Sequence, residues 1–212
     1  SNVTILDNSF FENDLSVSYF YLDGAEGVTS QNGELVFTEN TTESTYINSL
    51  RRADVLTDIG VDNCIGGRIV FRLTSLAPGA KFGISFGLER AYSRPQAANS
   101  TFIYLENAAG AYRICVDIFD DNADARHAAQ ENISLDVTAA ELILTFSADI
   151  YGGLTVTLGG TEIYRDPQAG CAPGGYVGFA CTGTAVAAVS EASVSSLSYD
   201  SPENTGDIVA DF

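Results

Sequence analysis

The chain has 212 residues, with 28 acidic against 10 basic side chains and a net charge of −18. With 45% hydrophobic and 18% charged residues, the composition is globular and long enough for one large β-domain. The charge excludes a nucleic-acid binder, which needs clustered Lys and Arg, and no apolar run approaches the roughly 20 residues that span a bilayer, so no membrane insertion is expected.

The elements follow from period-two alternation of apolar and polar residues, the mark of half-buried strands. In chain order, strands are predicted at about 15–22, 34–39 and 44–50, with the hairpin signal Asn32-Gly33 just ahead of the second. Arg68 to Leu73 places Ile69, Phe71 and Leu73 on one face and Arg68, Val70 and Arg72 on the other. Lys81 to Glu89 sends Phe82, Ile84, Phe86 and Leu88 inward, and Gly83, Ser85, Gly87 and Glu89 outward. Strands are further predicted at 101–106, Tyr112 to Ile118, 132–137 and Leu142 to Ser147. The last four fall at 154–159, 161–165, 175–182 and 186–199, with Gly159-Gly160 as a two-residue hairpin turn. Only residues 122–130, rich in alanine, carry helical propensity. About a dozen short strands with tight turns predict an all-β antiparallel β-sandwich (jelly roll) of two curved sheets over residues 1–200.

Residues 201–212 are expected to be a linker and the possible start of a following module, since a polar Pro/Gly stretch gives way to apolar Ile208-Val209-Ala210. The expected setting is a larger, modular, extracellular or cell-surface protein. Cys64, Cys115, Cys171 and Cys181 have no metal-ligand spacing, and His127 is the only histidine, which argues against zinc. An even count permits two disulfides, and the Ala-Pro-Gly-Gly segment after Cys171 could fold back to pair it with Cys181. The competing reading makes Cys115 and Cys181 small buried hydrophobes within strands. Asn-x-Ser/Thr triplets begin at Asn2, Asn40, Asn99 and Asn132.

The ordered set of strands carries a resemblance. Asn8-Ser9-Phe10-Phe11 precedes Asn32-Gly33-Glu34-Leu35-Val36-Phe37; the paired central strands follow; Leu142 to Asp149 leads into the hairpin through Gly159-Gly160-Thr161; Gly175-Tyr176-Val177-Gly178-Phe179 and Val194 to Tyr199 close the domain. Together these resemble the concanavalin A-like lectin/glucanase superfamily, including laminin-G-like domains. The resemblance implies a jelly roll that binds or cuts glycans, or serves as an adhesion or spacer module.

Glucanases of that superfamily carry Glu-x-Asp-x-x-Glu on one strand. Here Glu12-Asn13-Asp14 begins it, but Val17 stands where the second glutamate belongs. The primary expectation is therefore a non-catalytic carbohydrate-binding module, with a spacer or adhesion domain and a hydrolase of unusual carboxylates as alternatives. The candidate ligand surface is the outward face of the central strands, kept low by Gly83, Ser85 and Gly87, with Arg72, Glu89, Tyr104, Arg113 and Asp117 around it. Tyr92, Tyr104 or Tyr112 would supply a ring for a sugar face. The competing reading of this face is a solvated sheet with cross-strand ion pairs.

Asp120, Asn122, Asp124 and Glu131 occupy positions 1, 3, 5 and 12 of a calcium loop, but Ala125 stands where the sharp turn needs glycine. The superfamily resemblance instead implies a structural calcium near the paired chain ends, where Asp7 and Asp200 would supply oxygen ligands.

Overall fold

The structure is a computed structural model that describes residues 2–6, 20–23, 27–38, 44–49, 63–90, 94–97, 99–120, 125–171 and 174–198. Within these residues the chain is almost wholly β. The strands are β1 (Asn2–Leu6), β2 (Phe20–Asp23), β3 (Val28–Gln31), β4 (Glu34–Phe37), β5 (Ser44–Ser49), β6 (Asn63–Leu76), β7 (Lys81–Gly87) and β8 (Ser100–Ala108). They continue as β9 (Ala111–Phe119), β10 (Ala125–Gln130), β11 (Leu142–Ala148), β12 (Leu154–Leu158), β13 (Thr161–Asp166), β14 (Gly174–Thr182) and β15 (Ala185–Ser198). The only helical piece among the described residues is a 3₁₀ turn at Pro95–Ala97.

Two antiparallel sheets result, one of eight strands in the order β13-β12-β11-β6-β15-β4-β3 with β1 beside β15, the other of seven in the order β10-β9-β8-β7-β14-β5-β2. The architecture is the predicted β-sandwich. Alternation sets its core, because each strand turns every second residue toward the facing sheet. Phe37 and Phe71 from the eight-stranded sheet meet Phe82 of β7 at ring-centroid distances of 5.5 Å each. Phe86 stacks on Phe146 at 4.5 Å. Each of these buried rings contributes on the order of 2 kcal/mol by removal from water.

Two local expectations are corrected, and a question left open by the cysteines is decided. Residues 125–130 form a strand, not a helix: β10 pairs with β9 residue by residue, from Ala125 against Phe119 to Gln130 against Ile114. Alanine's helical preference is worth only tenths of a kcal/mol per residue, less than a sheet ladder and the burial beneath it. Residues 132–137 form no strand. Asn132 takes a left-handed backbone (φ 53°), and Asp136 caps a turn by accepting the Thr138 amide at 2.9 Å and its hydroxyl at 2.7 Å. Those hydrogen bonds hold the Asp136 carboxyl below its ordinary pKa.

Finally, Cys171 and Cys181 form no disulfide; both are free thiols, as is Cys115. β14 runs extended between them, and the Cys181 thiol donates instead to the Ala185 carbonyl at 3.4 Å. Burial pushes Cys115 and Cys171 up to about 11 and Cys181 up to about 12. No helix of the described residues is long and apolar enough to cross a membrane.

Candidate functional site: an aromatic and charged cleft on the seven-stranded sheet

The register of β7, β8, β9 and β10 builds rows across the solvent side of the sheet. Gly83, Tyr104, Cys115 and Ala129 form one row, and Ser85, Phe102, Asp117 and His127 the next. Lys81, Glu106 and Arg113 form a third. Phe102, Tyr104, Cys115 and Ala180 make a second small apolar cluster here, separate from the core between the sheets. A face that served solvation alone would have no use for one.

Tyr104 anchors the cluster. Its ring lies 4.7 Å from that of Phe102, with the Lys81 ammonium 4.9 Å from its centroid, a cation–π contact. Its hydroxyl donates to Asp117 Oδ2 at 3.0 Å. Burial first, then the Asp117 charge, holds the phenol well above its ordinary pKa. The other Asp117 oxygen lies 2.5 Å from His127 Nδ1. Asp117 is thus gripped on both oxygens while its carboxylate stays at the surface of a cleft.

That cleft has a volume of about 300 Å³. Lys81, Gln96, Asp117 and Thr182 supply its polar groups, and Pro95, Phe102, Tyr104 and Phe119 its apolar walls. Pro95 and Gln96 come from the 3₁₀ turn, which is tied down where Ser100 Oγ donates to the Pro95 carbonyl at 2.7 Å. Along one flank, Arg113 donates through Nε to Glu106 at 2.7 Å and through Nη2 to the same oxygen. It also reaches Glu131 at 3.0 Å. These carboxylates hold the guanidinium above its usual pKa.

The sheet brings together three of the residues singled out from the sequence. Tyr104 and Asp117 line the cleft, and Arg113 stands on its flank. Tyr104 is only 2% exposed, so it supports the cleft from beneath and offers no open ring to a sugar. Tyr112 is half-buried against the main core. Glu89 lies just beyond β7 and accepts from Asn99 at 2.7 Å. Arg72 belongs to the other sheet: β6 carries it into a 3.2 Å pair with Glu34. Tyr92, Asp7 and Asp200 lie outside the described residues.

Sequence reasoning missed Phe102, Phe119, Gln96 and His127. The alternation of Phe102 with Tyr104 was a signal for one of them. His127 was hidden by the helical propensity of its segment.

The cleft holds one carboxylate, Asp117. Glu106 lies four residues along β8 from Phe102, the register partner of Asp117, and is engaged by Arg113 and Lys81.

Among the described residues no group of three or more His, Cys, Asp or Glu side chains is placed to hold a metal ion. Of the calcium-loop positions, Asn122 and Asp124 lie outside the described residues; residues 125–130 belong to β10, and Glu131 is engaged by Arg113.

Two packed antiparallel sheets of eight and seven strands in this order define the concanavalin A-like lectin fold. No protein-family model matches the sequence, and no curated protein matches it. Solved structures do. The legume lectin-like domain from Entamoeba histolytica superposes with a TM-score of 0.64 at 10% identity, covering 91% of this chain and 97% of that one. Peanut lectin, solved with a nine-residue peptide, gives 0.61 at 12% identity over 95% and 100%. The metal-free Emp46p carbohydrate recognition domain gives 0.61 at 10% over 83% and 87%, and that domain also has a potassium-bound form. At such identities the likeness is one of fold.

Proposed function

We propose that this domain is a non-catalytic carbohydrate-binding module whose ligand occupies the cleft on the seven-stranded sheet. The observation that carries the reading is the Phe102–Tyr104 cluster on the solvent side, with Asp117 held on both oxygens beside it. A sugar hydroxyl both donates and accepts, and the cleft offers both partners: Asp117 to accept, Lys81, Gln96 and Thr182 to donate. Phe119, half-buried and packed against the Phe102–Tyr104 cluster, supplies apolar surface for the C–H face of a ring. The names of the structural neighbours, two legume-type lectins and a carbohydrate recognition domain, support the same ligand class.

We place the module outside the cell, in keeping with its acidic, lysine-poor composition. The structural calcium proposed at Asp7 and Asp200 belongs to the same reading.

The test is a binding screen against soluble polysaccharides and glycans, run with calcium and with chelator. A saturable ligand is expected, with at least tenfold weaker binding for Asp117→Asn, whose amide still accepts from Tyr104 and so leaves the fold intact. A wild-type domain that binds nothing on the panel overturns the reading in favour of a spacer or adhesion role. A melting midpoint unchanged by chelator removes the calcium proposal.

A further inference from the structure

A second surface lies at the end of the sandwich where β8 and β10 begin and β7, β9 and β11 finish. There the β11–β12 turn presents Tyr151 with 83% of its surface exposed, the one exposed large hydrophobic side chain among the described residues. An aromatic ring left in water on a loose loop would carry little meaning. This turn is tightly fixed. Asp149 Oδ1 accepts the amides of Tyr151 at 2.9 Å and Gly153 at 2.8 Å. The Asp149 amide donates to the Gly153 carbonyl at 2.9 Å, and the Gly152 amide returns to Asp149 at 3.0 Å. The Gly152 carbonyl accepts from both Gly170 and Cys171 at 3.0 Å, which locks this turn to the one after β13.

The packing leaves no slack. A Cβ on Gly153 would come within 2.8 Å of Asp149 Oδ2 and 2.9 Å of the Pro167 carbonyl oxygen. A Cβ on Gly170 would meet the Arg126 guanidinium at 2.7 Å. Arg126 is exposed and has no carboxylate partner among the described residues, whereas Arg68, Arg72, Arg113 and Arg165 are each paired with a glutamate. The nearby Asp149 and Asp166 each spend one oxygen on turn amides.

The surface thus offers a ring on a fixed turn, a guanidinium with no carboxylate partner among the described residues, and carboxylate oxygens that accept. One guanidinium stands against two carboxylates, a net of −1, which suits a neutral ligand rich in hydroxyls more than an acidic one. It lies around the sheet edge from the cleft. Phe119 in the cleft wall pairs with Ala125, the first residue of the edge strand β10; the next residue, Arg126, pairs with core-facing Ile118, so it turns to the opposite face, where it packs on Gly170, which is bonded to Gly152 beside Tyr151.

We infer that Tyr151 is a second sugar-contact platform, so that the ligand is an uncharged oligosaccharide chain running from the cleft across the start of β10 onto the Tyr151 ring. This rests on the carbohydrate reading of the cleft. The turn that carries the ring is already ordered, so stacking costs only the freedom of the Tyr151 side chain itself.

The experiment compares methyl glycosides of glucose, mannose and galactose with their soluble oligosaccharides of several units, titrated against the wild-type domain, Tyr151→Ala, Tyr151→Phe and Asp117→Asn. Melting curves confirm that each variant is folded. The expected result is that Tyr151→Ala weakens oligosaccharide binding by roughly three- to tenfold, leaves any methyl glycoside binding unchanged, and is rescued by Tyr151→Phe. Oligosaccharide binding unaffected by Tyr151→Ala but lost in Asp117→Asn overturns the platform and leaves the cleft standing. A wild-type domain that binds neither length overturns the carbohydrate reading, and the platform with it. Stronger binding of uronate-containing chains than of neutral ones overturns the choice of ligand class.

Discussion

Gly83 and Tyr104 face each other across β7 and β8 with no room between the strands for one more carbon. A Cβ on Gly83 would lie 1.9 Å from the Ile103 carbonyl oxygen and 2.6 Å from the Tyr104 Cα. The obstacle is backbone, which cannot swing aside as the tip of a side chain can. Gly83→Ala is therefore expected to push β8 off β7 and cost about 3 kcal/mol or more. Denaturant unfolding measures it, and an unfolding midpoint equal to wild type would contradict the packing described for this row.

The Arg113 network separates a buried partner from an exposed one. Glu106 is 7% exposed and takes both Arg113 and, at 3.7 Å, Lys81. Glu131 is largely in solvent. Removing Glu106 leaves two cations without their shielded counter-charge, so Glu106→Gln should cost about 2–4 kcal/mol. Glu131→Gln should cost about 0.5 kcal/mol, and that little should fade with added salt. Equal losses for the two would mean that burial does not govern this network.

Alkaline pH should destabilise the domain well before arginine or the backbone responds. The buried Cys115 and Cys181 thiols ionise at about 11 and about 12 when folded, against the ordinary thiol value near 9 when the chain unfolds. Between those limits the folded state binds more protons than the unfolded state. Their contribution is therefore complete below pH 9 and is lost as pH rises through 11 to 12. Each thiol adds a slope of up to about 1.4 kcal/mol per pH unit in that window. Unfolding midpoints from pH 8 to pH 11 should fall for wild type and fall less steeply for a Cys115→Ala, Cys181→Ala double variant.

The β12–β13 hairpin is a site for gain. Gly159 and Gly160 both take left-handed backbone, with φ of 59° and 80°, and nothing lies within 4 Å of where their Cβ atoms would be. Asparagine tolerates that conformation and narrows the unfolded chain's choices. Gly159→Asn should stabilise by about 0.5 kcal/mol in thermal melting, while Gly160→Val, β-branched at positive φ, should destabilise by at least about 1 kcal/mol.

Much of the sandwich is legible in the sequence. The alternations at Lys81 to Leu88, Tyr112 to Ile118 and Leu142 to Ser147 fall on β7, β9 and β11, and Phe82, Ile84, Phe86, Ile114, Val116, Ile118, Leu142, Leu144 and Phe146 face the core as predicted. What failed was local. Ala125 to Gln130 has helical residues in a strand because an open sheet edge at Ile114 to Phe119 outweighs propensity. Asn132 to Val137 has strand-like residues in a turn because Asp136 and Thr138 satisfy the backbone another way. Of the candidate site, Tyr104, Arg113 and Asp117 could be placed on one face by counting along their strands. Gln96 and Phe119 carried no pattern, since a 3₁₀ turn and a strand end join the cleft only in space.

By itself, then, the sequence determined which residues are buried and hence that two sheets must pack, because removing apolar side chains from water acts residue by residue along each strand. Which strands are neighbours was decided in three dimensions. β6 pairs with β15 across more than a hundred residues, which sends Arg72 to the sheet opposite the cleft. β10 pairs with β9, which sets His127 against Asp117. Alternation fixes the face a residue takes, but a ladder between distant segments is stabilised by backbone hydrogen bonds that every sequence possesses, so the partner is chosen only when the whole core closes.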